Sequence, residues 1–128
     1  LFRSDSKTAR LKILLAEDDE ISQFLIEAMA RNLNCELLIA SNGNDAVETC
    51  RNHTDLDLIL MDIKMPGMNG YDATRQIRQF NQEVVIIAQT AFGLTGDREK
   101  SLEAGCNDYI SKPINIDKLQ MLIRSYFN

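Results

Sequence analysis

The chain has 128 residues, 45% of them hydrophobic and 26% charged, which is typical of one globular domain and unlike a disordered segment. Its formal net charge of −5 disfavours direct binding of nucleic acid, which needs clustered Lys and Arg to neutralise phosphates. Three cysteines without C-x-x-C spacing fit reduced thiols in a cytoplasmic protein, and no apolar run approaches the ~20 residues that span a bilayer.

Residues 1–10 are polar and lack periodicity, which predicts a linker ahead of one domain over residues 11–128. Within that domain, short apolar runs predict five strands. Most of the runs are continuously apolar, as in strands that are buried on both faces of a parallel sheet. The predicted strands are residues 12–16, 36–40, 58–61, 84–89 and 108–111.

Helical patterns separate the predicted strands. In the first helix, apolar residues recur at the spacing of one helix face, namely at Ile21, Phe24, Leu25, Ala28 and Met29. Asn42 is a candidate cap for a second helix that runs to about Asn52, and residues 71–80 form a third.

The fourth helix is predicted to end near Ala104, with Gly105 directly after it. The fifth begins after Pro113 with Asn115 as its cap. Its inward side chains are predicted to be Ile116, Leu119, Leu122, Ile123 and Tyr126. Such alternation of strands and helices predicts an α/β fold, an open doubly wound parallel sheet with helices on both faces, since a closed barrel needs about twice this length.

Ligands of such sheets bind beyond the carboxyl ends of the strands. Glu17, Asp18 and Asp19 follow the first strand, Asp62 the third, Thr90 the fourth and Lys112 the fifth. Carboxylates about 4 Å apart repel by roughly 4 kcal/mol at an effective dielectric near 20. A divalent cation relieves that repulsion, and all-oxygen ligands without nearby His or Cys favour Mg²⁺ over Zn²⁺.

Asp62 begins a turn-rich loop with Pro66-Gly67 and Asn69-Gly70 pairs. A carboxylate in such a loop is open to a phosphodonor, and carboxylates do form aspartyl phosphates. Lys112 supplies a positive charge that can hold a phosphoryl group or pair with Asp62 in its absence.

The runs ILLAEDDE, LILMDIKMPGMNG, IIAQTA and DYISKP resemble, in order and spacing, the motifs of response-regulator receiver domains. The resemblance covers residue 12 to about residue 127. It implies a flavodoxin-like (βα)₅ fold with strand order 2-1-3-4-5, and a phosphoacceptor function in two-component signal transduction.

By the same resemblance, Asp62 is the phosphoacceptor and Lys112 neutralises phosphate charge. Mg²⁺ is bound directly by Asp18, Asp62 and the backbone carbonyl of Lys64, and through water by Glu17, a common variant of the family's usual Asp.

Thr90 and Tyr109 are, by this resemblance, the switch residues: Thr90 bonds the phosphoryl oxygen after transfer, and Tyr109 then turns inward. The family's Lys-Pro peptide is typically cis, so the resemblance implies a cis bond between Lys112 and Pro113.

The implied partner is a histidine kinase or a histidine phosphotransfer domain, which contacts the first helix near Ile21, Ser22 and Phe24. The fourth helix, fifth strand and fifth helix form the implied readout surface. No contact of this domain with nucleic acid or membrane is expected. The resemblance also implies that the domain promotes its own phosphorylation and dephosphorylation. It is expected to be either a stand-alone cytoplasmic receiver or, as the linker and the initial Leu favour, the receiver of a hybrid histidine kinase anchored in a membrane.

Other readings stay open at this point. Asp18 and Asp19 also suit a helix cap, and Asp62 alone suits a turn. A haloacid-dehalogenase-type phosphatase normally has a D-x-D pair, whereas Lys64 stands at the second position here. A pseudo-receiver that binds without phosphorylation is the other rival. The single histidine, His53, lies far in sequence from the acids and is expected at the surface.

Overall fold

The computed structural model describes residues 10–91 and 95–127, so most of the predicted linker, residues 1–9, lies outside the described residues. Five strands alternate with five helices. In chain order these are β1 (Lys12–Ala16), α1 (Glu20–Asn32), β2 (Glu36–Ala40), α2 (Gly43–Asn52), β3 (Leu58–Asp62), α3 (Gly70–Arg78), β4 (Val85–Thr90), α4 (Asp97–Ala104), β5 (Asp108–Ser111) and α5 (Ile116–Phe127).

The strands form one parallel sheet in the order β2-β1-β3-β4-β5, which confirms the predicted flavodoxin-like topology. Its register pairs Ala16 with Met61 and Asp62 with Gln89, so the carboxyl ends of β1, β3 and β4 are level with one another. Strand order reverses beside β1, and this switch point is where open sheets bind their ligands.

The sheet is buried on both faces by two separate apolar clusters. Helices α2 and α3 cover one face, where Val47, Cys50 and Ile77 pack on Ile59 and Ile86. Helices α1 and α5 cover the other face, and the cluster there has ten buried members. They are Ile13, Leu15, Ile26, Met29, Leu58, Leu60, Ile87, Ile110, Leu119 and Ile123.

The apolar residues of α1 do not all face the sheet. Ile21 and Phe24 are 73% and 64% exposed, and Leu25 is exposed as well, whereas the buried residues are Ile26, Met29 and Ala30. The first half of this helix carries apolar side chains on two faces, so their spacing alone does not tell which face meets the sheet. An apolar patch is therefore left at the surface beside the strand ends.

Smaller differences concern element ends and α5. Helix α3 begins at Gly70 and ends at Arg78, two residues before the predicted end, and Thr90 is the last residue of β4. In α5, Leu119 and Ile123 are buried as predicted, but Tyr126 is exposed. Its hydroxyl bonds to Asp108 and Asn107 at the surface. No helix of the described ranges is both long and apolar enough to cross a membrane.

Candidate functional site

Four strand ends bring the predicted site residues together at one edge of the sheet. Glu17 and Asp18 follow β1 directly, Asp62 and Thr90 end β3 and β4, and Lys112 follows β5. The next acid in the chain, Asp19, caps α1 instead: its side chain accepts the backbone N–H of Ser22 at 2.9 Å. This bond lowers the pKa of Asp19 and leaves Asp18 to face the site.

The ammonium of Lys112 lies between two buried carboxylates. Its Nζ donates to Glu17 Oε1 at 2.8 Å and lies 3.2 Å from Asp62 Oδ2. Glu17 is fully buried, and its second oxygen accepts the backbone N–H of Asp19 at 3.1 Å. Burial lowers the pKa of Lys112, but the hydrogen bond that it donates to Glu17 and the charge of Asp62 outweigh that effect and raise the pKa overall.

One ammonium does not balance the acids. Carboxylate oxygens of Glu17, Asp18 and Asp62 all lie within 4.8 Å of one another. Burial and the charge of Glu17 raise the pKa of Asp62 to about 6, against the opposing effect of Lys112. The site therefore has surplus negative charge, and a divalent cation bound by these oxygens relieves it.

The loop after Asp62 is held by backbone bonds on both sides. The N–H of Ile63 donates to the Gln89 carbonyl at 3.1 Å, and the N–H of Lys64 donates to Asp62 Oδ1 at 3.3 Å. Gly70 then returns to the loop, where its N–H donates to the Ile63 carbonyl at 2.8 Å. A Cβ at Gly70 would collide with the Asp62 carbonyl oxygen and lie 2.8 Å from the Ile63 Cα.

Gly70→Ala is therefore expected to move the Asp62 loop, with a loss of about 1–3 kcal/mol in the free energy of unfolding. Gly67→Ala is the matched control, because its Cβ would meet no atom within 4 Å, although its φ of 74° makes any side chain strained. That strain costs about 1 kcal/mol. Urea denaturation of both variants measures the difference, and equal losses would refute the close-approach argument.

Thr90 and Tyr109 share the face of the sheet that α2 and α3 cover. Thr90 is 3% exposed, and its Oγ1 has no hydrogen-bond partner among the described residues. Tyr109 is half-buried and packs against the apolar cluster on that face. An unused buried hydroxyl costs free energy, so Thr90 is available to an acceptor that enters the site. The peptide bond between Lys112 and Pro113 is cis.

His53 and the cysteines lie away from this edge. His53 is half-buried near the opposite end of β1, where its Nδ1 is 3.3 Å from Lys12 Nζ. Cys50 and Cys106 are buried with free thiols, and Cys35 is half-buried. None of these side chains takes part in the cluster of acids.

Two features of the site were not foreseen from the sequence. The bond of Lys112 to Glu17 joins residues that are 95 positions apart and depends on side-chain reach across the sheet. Gln89 is 2% exposed, and both polar atoms of its amide lack a partner in the described part of the chain. A polar residue inside the apolar run of β4 was the available sequence signal.

Comparison with known proteins gives a family match over most of the chain. Residues 13–124 match the family described as the response regulator receiver domain. The polar-differentiation response regulator DivK of Brucella anthropi is 34% identical over 116 residues, which are 89% of this chain and 94% of that protein.

Hybrid kinases are also among the relatives. Hybrid signal transduction histidine kinase G of Dictyostelium discoideum is 39% identical over 126 residues, which are 94% of this chain. They are 4% of the kinase, so the chain spans only a small part of that relative's length.

Two solved structures share the fold. One is the receiver domain of sensor histidine kinase PA1611 from Pseudomonas aeruginosa, with a magnesium ion coordinated in its active-site cleft. It is 41% identical with a TM-score of 0.83, over 91% of this chain and 97% of that one. The other is a co-crystal structure from Saccharomyces cerevisiae of the histidine phosphotransfer protein Ypd1 and the receiver domain of Ssk1. The match has 32% identity and a TM-score of 0.87, over 92% of this chain and 89% of that one.

Proposed function

Since this chain belongs to the response regulator receiver domain family of two-component systems, we propose that Asp62 is the residue that accepts the phosphoryl group. The observation that carries the assignment is the position of Asp62 at the end of β3, where its carboxylate lies 3.2 Å from the ammonium of Lys112. Burial and a raised pKa set Asp62 apart from the exposed acids beside it.

In the proposed reaction a carboxylate oxygen of Asp62 attacks the phosphorus of a phosphohistidine. The P–O bond forms as the P–N bond breaks, and the imidazole leaves with the electron pair. Lys112 then pairs with the new phosphoryl oxygens, because its ammonium already lies beside the Asp62 carboxylate. The aspartyl phosphate can be trapped with borohydride. Peptide mapping should place the label on Asp62, and a label on Asp18 or Asp19 would refute the assignment.

Receiver domains generally bind Mg²⁺, and we propose that Asp18, Asp62 and the Lys64 carbonyl hold it here, with Glu17 acting through water. The grouped carboxylate oxygens and the raised pKa of Asp62 support this choice, since a hard divalent cation prefers oxygen ligands. A bound Mg²⁺ supplies charge neutralisation for the phosphoryl group. The protein itself holds the carboxylate of Asp62 in position to attack the donor and keeps the ammonium of Lys112 beside it.

The proposed switch uses Thr90 and Tyr109. The unpartnered hydroxyl of Thr90 would bond a phosphoryl oxygen, and movement of Thr90 would let Tyr109 turn inward on the same face. The equilibrium between the two arrangements is biased by the charge that phosphorylation adds. The proposed readout surface is formed by α4, β5 and α5.

A histidine phosphotransfer domain is the proposed donor, because a structural neighbour includes the Ypd1 protein with the receiver domain of Ssk1. Its proposed docking surface is the exposed patch of Ile21, Phe24 and Leu25 at the start of α1, beside the acids. We place the domain, residues 11–128, in the cytoplasm, alone or behind the linker of a membrane-anchored hybrid kinase.

Phe24→Ala is expected to slow transfer from a phosphorylated histidine phosphotransfer protein about tenfold or more, since exposed aromatic side chains often dominate interfaces. Phosphorylation by acetyl phosphate should stay unchanged. Phe80→Ala is the matched control, because Phe80 is also exposed, at 38%, but lies two residues beyond α3, where the guanidinium of Arg51 stacks on its ring. Rapid-quench measurement of both rates decides the matter, and an equal loss with both donors would argue against docking at α1.

A further inference from the structure

Gln89 carries a buried amide that the proposed reaction does not yet use. Its side chain is 2% exposed, and neither Oε1 nor Nε2 has a hydrogen-bond partner among the described residues. A buried polar group without a partner costs about 1–3 kcal/mol. Such a group in the core next to a site calls for an explanation, and one explanation is a partner that arrives in another state of the protein.

Strand register places Gln89 on the same face of the sheet as the charged residues of the site. Gln89 pairs with Asp62 on one side and Ile110 on the other. Side chains alternate along a strand, so Gln89 points to the same face as Ile87, which belongs to the cluster under α1 and α5. Gln89 is therefore the last residue of β4 on that face.

Lys112 has to cross β4 to reach its partners. It follows β5, whereas Asp62 ends β3, two strand spacings or about 10 Å away. Its Nζ nevertheless lies 3.2 Å from Asp62 and 2.8 Å from Glu17. The lysine side chain thus extends past the end of β4, and Gln89 is the last residue of that strand on this face of the sheet.

This arrangement has a consequence for the loaded site, which rests on the proposed function. An ammonium has three donors, and here one is accepted by Glu17 while Asp62 pairs with the ammonium at 3.2 Å. When these carboxylates serve a cation and a phosphoryl group, one donor of Lys112 turns to a phosphoryl oxygen, and a remaining donor needs another acceptor. We propose that Gln89 is a positioning residue for Lys112. In the loaded site the ammonium of Lys112 donates a hydrogen bond to the side-chain carbonyl oxygen of Gln89.

The test uses Gln89→Leu, which keeps the approximate size of the side chain and removes its polar atoms. The control is Gln76→Leu, because Gln76 is an exposed glutamine on α3. Beryllofluoride with Mg²⁺ serves as the phosphoryl mimic, and thermal shift measures its apparent affinity. Gln89→Leu should leave the metal-free protein as stable as the wild type or more so, because an unsatisfied group is removed. The beryllofluoride affinity should fall about tenfold, the size of one hydrogen bond to a charged group.

A double-mutant cycle with Lys112→Met separates positioning from packing. The tenfold loss should disappear in the Lys112→Met background, since Gln89 acts through that ammonium. The inference is overturned if the two effects add. It is also overturned if Gln89→Leu destabilises the metal-free protein with unchanged beryllofluoride affinity, which would mean that an internal water satisfies the amide. A wild type that does not respond to beryllofluoride at all would instead refute the proposed function.

Discussion

Lys112→Met is expected to destabilise the metal-free protein by about 2–4 kcal/mol at neutral pH, because removal of one partner leaves buried charges without compensation. Glu17 is fully buried and Asp62 is 3% exposed, so both carboxylates have little contact with solvent. The pKa of Lys112 is raised in the folded state, so its stabilising contribution is present below its ordinary value of 10.5 and is in force at pH 7.

Added Mg²⁺ should recover most of that loss, since a cation bound by the same carboxylates replaces the missing positive charge. Lys12→Met is the matched control: Lys12 Nζ lies 3.1 Å from Asp55, but that carboxylate is exposed, so a far smaller loss is expected. Urea denaturation of each variant and of the wild type, with Mg²⁺ or with a chelator, gives the loss in the free energy of unfolding for both variants in both conditions. Equal losses for the two variants, or no recovery with Mg²⁺, would contradict the charge balance described for the site.

Asp62→Asn is expected to stabilise the metal-free protein at pH 7, although it removes the partner of Lys112. Loss of the pairing with Lys112 destabilises the variant, whereas removal of a buried charge stabilises it. The pKa of Asp62 tells which effect is larger. A value of about 6 against 3.8 means that the surroundings disfavour the charged carboxylate in spite of Lys112. The shift corresponds to about 3 kcal/mol at 1.36 kcal/mol per pKa unit, and solvent screening reduces the expected gain to about 1–2 kcal/mol.

The sign of this effect depends on pH. The folded-state pKa of Asp62 lies above its unfolded value, so the wild type loses stability relative to the variant as pH rises through about 6. The gain should be largest at pH 7–8 and nearly absent near pH 4. Mg²⁺ should reverse the order by binding the wild type more tightly. Asp55→Asn serves as the control, and a destabilised Asp62→Asn protein at every pH would mean that the pair with Lys112 outweighs burial.

Much of the site could be predicted from the sequence because strand ends converge in a parallel sheet. Glu17, Asp62, Thr90 and Lys112 each follow or end an apolar run, so strand order alone brings them to one edge. Residue type identified two helix caps as well. Asn42 and Asn115 precede α2 and α5, and their side chains accept the N–H groups of Asp45 and Lys118.

What failed depends on information that local patterns lack. The spacing in α1 did not show which side chains face the sheet, because Ile21, Phe24 and Ile26 are all apolar and only packing on the sheet selects Ile26 for the core. Arg78 was missed as well. Its guanidinium donates to the carbonyls of Gly105 and Val84, contacts that depend on where distant turns meet.

The central claim is that Asp62 accepts a phosphoryl group with the help of a cation. The most direct test is intact-mass spectrometry after incubation with acetyl phosphate, with Mg²⁺ or with a chelator. The variants are Asp62→Asn and the control Asp55→Asn, whose acid lies beside Lys12 at the other end of β1. The account predicts one added phosphoryl group on wild type and Asp55→Asn, only with Mg²⁺, and none on Asp62→Asn. An adduct on Asp62→Asn, or one that forms equally well without Mg²⁺, would contradict it.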